Sequence, residues 1–211
     1  MPIMMNMDGL RCVVVGGGKA AKRKIAALLE AEAEIVVISP DIDPSIEEWV
    51  RAGQLAHMRK SYEGKADLRE ARLVIAATDA DEVNNQVCSD AMALGVLVNN
   101  TGQPAEGTVN FPAVLRRGGL VMTVSTSGAS PGLAVRLRDE LMEQYGPEYE
   151  RYVDFLAEFR QQVLTAIDDP EVRALFFQKV LQFDILDIIR QGELDAFRAN
   201  LWTELINELS R

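Results

Sequence analysis

The stretch from Val13 to Lys24, VVVGGGKAAKRK, constrains this chain more than any other. An apolar run stops at three glycines and passes directly into an Ala- and Lys-rich segment that favours helix. Gly16-Gly17-Gly18-Lys19-Ala20-Ala21 fits G-x-G-x-x-A at a strand-to-helix junction. In such a turn the first glycine permits the tight bend and the second lets backbone approach a pyrophosphate. A small residue at Ala21 keeps the helix close to the sheet, and the helix start offers free N–H groups to an anion. The pattern carries weight only if strands and helices go on alternating around it.

They do. Arg11 to Val15 reads as a buried strand, Lys19 to Ala31 as a helix and Glu34 to Ser39 (EIVVIS) as a second strand. A turn over Pro40 to Pro44 leads to a short helix, Ser45 to Ala52, and then to a weaker strand, Leu55 to Arg59. Arg72 to Ala77 (RLVIAA) has the continuous apolar character of a buried parallel strand. A helix over Asp81 to Leu94 and a strand over Val96 to Asn99 follow. Alternation of this kind predicts a parallel sheet covered on both faces, a Rossmann-like domain over residues 1–110.

The texture then changes. Phe111 to Ala113 and Leu120 to Ser125 read as strands around the turn RRGG, and Ser130-Pro131 opens a helix with Ser as N-cap and Pro as first helical residue. From Tyr149 onward only helical spacing recurs: Tyr152, Phe155, Phe159 and Val163, then Leu181, Ile185, Ile188 and Ile189. The fold class is α/β, with this domain followed by a small α+β region (111–148) and a helical C-terminal region (149–211).

Bulk composition narrows the function. With 22 Lys and Arg against 32 Asp and Glu the net charge is −10, which argues against general affinity for nucleic acid or anionic membrane. Cys12 and Cys88 have no paired spacing, and His57 is the only histidine, so a thiolate zinc site, a disulfide framework and a His-rich metal site are all disfavoured. His57, away from every motif, reads as structural. The start lacks a basic and apolar leader pattern, and no window approaches a membrane span; a cytoplasmic location is expected.

Asp41 and Asp43 follow the second strand, where an acidic residue binds the ribose hydroxyls of a dinucleotide, and no arginine stands nearby for a 2′-phosphate. NAD is expected over NADP. Thr78 and Asp79 close the fourth strand, where open α/β sheets bind ligands; capping the next helix is an equal account of both. Lys19, Lys22 and Arg23 share a helical face, for which a solvated surface is the simpler account, and Arg116, Arg117, Arg136 and Arg138 form a later basic cluster. If the two clusters border one cleft, they would draw a polyanion larger than a pyrophosphate.

VVVGGGKAAKRK, VIAATDADEVN, VLVNN, FPAVLRRGGL and VSTSGASPGLAVRLRDEL, in this order, resemble the precorrin-2 dehydrogenases, the stand-alone form of the siroheme synthase N-terminal module. The resemblance covers roughly residues 8 to 160, and the S-T-x-G-x-S-P element is its most distinctive part. It implies NAD-dependent oxidation of precorrin-2 to sirohydrochlorin in siroheme synthesis, a homodimer formed by the part after the Rossmann domain, and a carboxylate-rich, anionic tetrapyrrole as substrate. On it, Gly16, Gly18, Lys19 and Ala20 hold the pyrophosphate, Pro40 and Asp41 lie near the adenosine ribose, and Thr78 lies on the nicotinamide side. Arg116, Arg117 and Thr126 are the substrate candidates. The chain departs from the family at one place: where an N-V-V-D segment carries a catalytic aspartate, this sequence has N-N-T-G, ending on Gly102. A glycine abstracts no proton and ligates no metal, so iron insertion is doubtful. Dehydrogenation is expected to need little beyond orienting the hydride donor; Glu106 and Asp79 are the alternative acids. The rival reading is a non-catalytic NAD- or tetrapyrrole-binding regulator or carrier.

Overall fold

A computed structural model describes residues 2–209. The described chain divides between Phe111 and Pro112 into two compact units.

In the first unit, β1 (Arg11–Val15), β2 (Glu34–Ile38), β3 (Ala56–Met58), β4 (Leu73–Ala76) and β5 (Leu97–Asn100) form one parallel sheet in the order β3-β2-β1-β4-β5. The crossovers run through α1 (Lys19–Glu30), α2 (Pro44–Arg51) and α3 (Asp81–Ala93), with a 3-10 turn at Lys65–Leu68. Strand alternation deals the apolar residues to two cores. Cys12, Val14, Ile35, Val37, Leu73 and Ile75 meet Ala21, Ile25, Leu28 and Ile46 on one face. Val13, Val15, Val36, Ile38, Val74 and Val98 meet Val87, Cys88 and Ala91 of α3 on the other. Both faces being covered is why these strands read as unbroken apolar runs. Cys12 and Cys88 are free and buried, and burial pushes the Cys12 thiol up to about 11, so both serve as packing atoms. His57 on β3 bonds the carbonyl of Ser39 through Nε2 at 2.9 Å, a link between adjacent strands.

The strand order reverses between β1 and β4, and the carboxyl ends of these two strands open the crevice where such sheets bind ligands.

In the second unit, β6 (Ala113–Arg117) and β7 (Leu120–Val124) form an antiparallel hairpin, followed by α4 (Pro131–Gln144). The first strand of this hairpin is not at Phe111–Ala113, as the apolar run suggests. It extends to Arg117, and the turn is Gly118-Gly119, with Gly118 at φ +52°. Phe111 instead packs against the core of the first unit. Four more helices follow among the described residues: α5 (Glu148–Ala166), α6 (Pro170–Val180), α7 (Ile185–Gln191) and α8 (Leu194–Leu209). Phe155, Phe159 and Val163, one turn apart on α5, meet Phe176, Val180, Ile185, Ile189, Leu194, Leu201 and Leu205. Leu181, counted in this stripe from the sequence, is 59% exposed, because α6 ends there and the chain turns. Asp169 and Asp184 cap α6 and α7 with their carboxylates.

Phe159 is 2% exposed and touches the rings of Phe155, Phe177 and Trp202. Phe159→Ala is expected to destabilise the helical unit by about 3–5 kcal/mol, seen as a lower urea midpoint for loss of helical circular dichroism.

Candidate functional site

The three glycines do three different things. Gly16 has φ +116°, and a Cβ on it would collide with the Ala77 carbonyl at the end of β4. A Cβ on Gly17 would collide with the Asp41 carbonyl and Ile42, so the loop after β2 lies directly on this peptide; Asp43 N–H donates to Gly17 O at 2.7 Å. Gly18 is different: nothing lies within 4 Å of its Cβ position, and its φ of −87° is open to any residue. Internal packing demands the first two glycines and leaves the third without a structural reason.

Gly18 is the N-cap of α1. No side chain caps this helix end, and no acidic residue lies in its first turn. The helical ladder begins with Lys22 N–H donating to Gly18 O at 3.0 Å, so the N–H groups of Lys19, Ala20 and Ala21 precede it. An exposed, uncapped helix start beside a bare glycine suits a pyrophosphate. The residues of this turn fit the pyrophosphate of a nicotinamide dinucleotide.

Next to it lies an open cleft of about 370 Å³. Val15 and Gly16 from β1, Ile38, Ser39 and Pro40 from β2, and Thr78, Asp79 and Ala80 after β4 form its walls, together with Ser61, Tyr62 and Val83. Of the sequence-derived residues, Gly16, Pro40, Thr78 and Asp79 are thus brought together around one cavity. Gly18, Lys19 and Ala20 stand at the start of α1, and Asp41 follows Pro40 as an exposed side chain.

The two aspartates after β2 part company. The Asp43 carboxylate caps α2 by accepting the Ser45 N–H at 2.9 Å and is bridged by Lys22 at 3.3 Å. The Ser45 bond, helped by Lys22, holds its carboxyl below the usual range. Asp43 is committed to structure, while the Asp41 side chain is exposed.

Thr78 is braced by Asn84, which is 1% exposed. Thr78 N–H and Oγ1 both reach Asn84 Oδ1, at 3.0 and 2.9 Å, and Asn84 Nδ2 donates to Thr78 O at 2.9 Å. The Ala80 N–H donates to Thr78 Oγ1 at 3.2 Å. This closed set fixes the β4–α3 turn. Beyond β5, Asn100 Oδ1 accepts the N–H groups of Gly102 and Gln103, both at 3.0 Å, and holds the next turn. A Cβ on Gly102 would lie 3.3 Å from Asp81 Oδ1, so position 102 faces the start of α3. Glu106 is exposed on a 3-10 turn, Pro104–Glu106.

The basic residues are mostly engaged. Lys22 serves Asp43 and Ser45, and Lys24 lies 4.2 Å over the Phe111 ring, with burial and then Arg23 lowering its pKa. Lys19 and Arg23 are exposed. In the second unit Arg117 donates to the carbonyls of Tyr145 and Met142, at 3.0 and 3.2 Å, and so holds the last turn of α4. Arg136 pairs with Glu140 and Arg138 with Asp139. Arg116 is exposed on β6. Thr126 Oγ1 donates to Ser130 O and accepts from Ser130 N, both at 3.0 Å, while Ser130 Oγ caps α4 through Leu133 N. Sequence reasoning missed Tyr62, which no motif marks, and gave no role to Val83 and Asn84 within VIAATDADEVN.

Comparison with known proteins bears on this arrangement. Residues 3–113 match a family model described as NAD(P)-binding, and residues 117–144 match that of the sirohaem biosynthesis protein central element. The siroheme synthase of Nitrosococcus oceani is 37% identical over 193 residues, 92% of this chain and 41% of that protein. That of Methylobacillus flagellatus is 35% identical over 198 residues, 94% of this chain and 42% of that protein. The chain thus spans about two fifths of the length of these relatives. The solved structure of SirC, a precorrin-2 dehydrogenase, superposes with a TM-score of 0.80 at 28% identity, covering 96% of this chain and 99% of that one. With a glycine turn at a strand-to-helix junction, a cleft at the strand-order reversal and a family model matching residues 3–113, the chain belongs to the NAD(P)-binding family, and along its length it is similar to siroheme synthases and to SirC.

Proposed function

We propose that the protein is an NAD-dependent precorrin-2 dehydrogenase, oxidising the tetrapyrrole to sirohydrochlorin. The observation that carries the cofactor half is Gly18: a glycine that nothing in the protein requires, at an uncapped helix start on the rim of the cleft. The relatives named above support the substrate half. A bound NAD⁺ supplies the hydride acceptor.

The residues of this chain bind and orient. The N–H groups of Lys19 and Ala20 hold the pyrophosphate, with Gly18 allowing its approach. Asp41 accepts hydrogen bonds from the adenosine ribose, which favours NAD over a cofactor carrying a 2′-phosphate. Thr78, immobilised by Asn84, keeps the wall on the nicotinamide side rigid. Two hydrogens leave the substrate, one as hydride and one as a proton. Asp79 on the cleft wall and Glu106 are the candidate acids for the proton, since Gly102 offers none. Arg116 and the Thr126 loop are the substrate-facing candidates of the second unit, which we assign to a homodimer. Arg117, engaged with α4, contributes by shaping that unit. Gly102 also favours a second reading, a binding protein without turnover.

Aspartate is a good N-cap, so Gly18→Asp is expected to fold with undiminished stability. It sets a carboxylate against the pyrophosphate, and NAD⁺ affinity by calorimetry is expected to fall at least about 30-fold. Gly16→Ala, by contrast, is expected to lose about 2–4 kcal/mol of stability in a denaturant titration, from backbone strain and the collision with Ala77. Asp41→Ala is expected to weaken NAD⁺ about five- to tenfold and to narrow the preference over NADP⁺.

The deciding experiment is an anaerobic assay with precorrin-2 and NAD⁺, following NADH and the visible spectrum, with and without ferrous iron. Sirohydrochlorin formation dependent on NAD⁺ is expected, without iron insertion. NAD⁺ binding with no turnover would replace this reading by the binding-protein one.

A further inference from the structure

The cleft contains one aromatic side chain, Tyr62, which no glycine motif or strand-end rule explains. It follows β3, which lies beyond β2 at one edge of the sheet. That is the side of the adenosine half, since the ribose acid follows β2 and the pyrophosphate sits over β1. Ile38 and Pro40, at the end of β2, share the cleft with it and make an apolar slot on this side. A flat heteroaromatic base is the group such a slot takes, and an aromatic wall adds stacking.

The ring is held in place by an unusual residue. Asp90 is 6% exposed, on the core-facing side of α3 with Val83, Val87 and Ala91. A carboxylate there is costly to bury unless it is used. Tyr62 donates its hydroxyl to Asp90 Oδ2 at 2.9 Å across 28 residues of sequence. Burial, and after it Asp90, push the phenol well above its ordinary pKa, so it remains a donor at every working pH.

Resting on the cofactor reading above, we propose that Tyr62 is the wall against which the adenine of the dinucleotide packs, and that Asp90 is the positioning residue that holds the ring there. Tyr62 then determines affinity for the adenosine half alone.

The test measures binding of ADP-ribose and of nicotinamide mononucleotide separately, by calorimetry on the purified protein. Tyr62→Leu, which keeps apolar bulk, is expected to weaken ADP-ribose about tenfold and to leave the mononucleotide unchanged. Tyr62→Phe and Asp90→Leu, which keep the ring and remove its anchor, are each expected to weaken ADP-ribose about threefold. Asp90→Asn retains an acceptor and should restore wild-type affinity, a rescue that a merely structural role for the charge would not give. Unchanged ADP-ribose affinity in folded Tyr62→Leu overturns the proposal, as does equal weakening of both half-ligands. Gly18→Asp separates the two levels. If it abolishes NAD⁺ binding while Tyr62→Leu has no effect, only the adenine wall is wrong. If folded Gly18→Asp binds NAD⁺ normally, the cofactor reading falls, and this proposal with it.

Discussion

Main chain meeting main chain at Gly16 and Gly17 is the contact on which the cleft depends. The end of β4 closes on one glycine and the loop after β2 on the next, so no Cβ fits between the three segments. This draws the carboxyl ends of β2, β1 and β4 around one point. The third glycine, free of both, is left facing outward at the helix start. A turn with its first two peptides pinned presents the third in a fixed direction, and the N–H groups at the uncapped start of α1 inherit that precision.

Around this point the protein spends polar groups on rigidity. Lys22, Asp43 and Ser45 tie α1 to the start of α2, Asn84 locks Thr78, and Asn100 holds the turn at Gly102. Each brace joins a helix or strand end to the loop beside it, where backbone groups would otherwise go unpaired. Of the two basic clusters, Lys22 and Arg117 serve as such braces, whereas Arg136 and Arg138 pair with acids on α4 itself. Lys19, Arg23 and Arg116 remain exposed, a modest basic allotment on a chain of net charge −10.

Much of the first unit was legible because its signals are local. Strand alternation and the glycine junction need only neighbouring residues to be read, as does the Ser130 cap in the second unit. The misplaced strand near Phe111 shows the limit. An apolar run of that length marks burial, and Phe111 is drawn into the core beside Lys24 and not into the hairpin. Leu181 failed for the related reason that helical spacing was carried across a turn between α6 and α7. Around the cleft, Gly16, Pro40, Thr78 and Asp79 stand at strand ends that the sequence marks, whereas Tyr62 and Asp90 meet across 28 residues, which spacing does not reveal.

By itself, the sequence determined the class of fold, the dinucleotide turn and the faces of the strands. These follow from period-two and period-3.6 burial and from the one residue type that tolerates a bare backbone contact. Only the tertiary structure decided which glycine was free, that Lys22 of α1 bridges Asp43 after β2, and that a buried carboxylate on α3 anchors a tyrosine from beyond β3. Each of these depends on segments far apart in the chain arriving within a few ångströms, a coincidence that local periodicity does not encode.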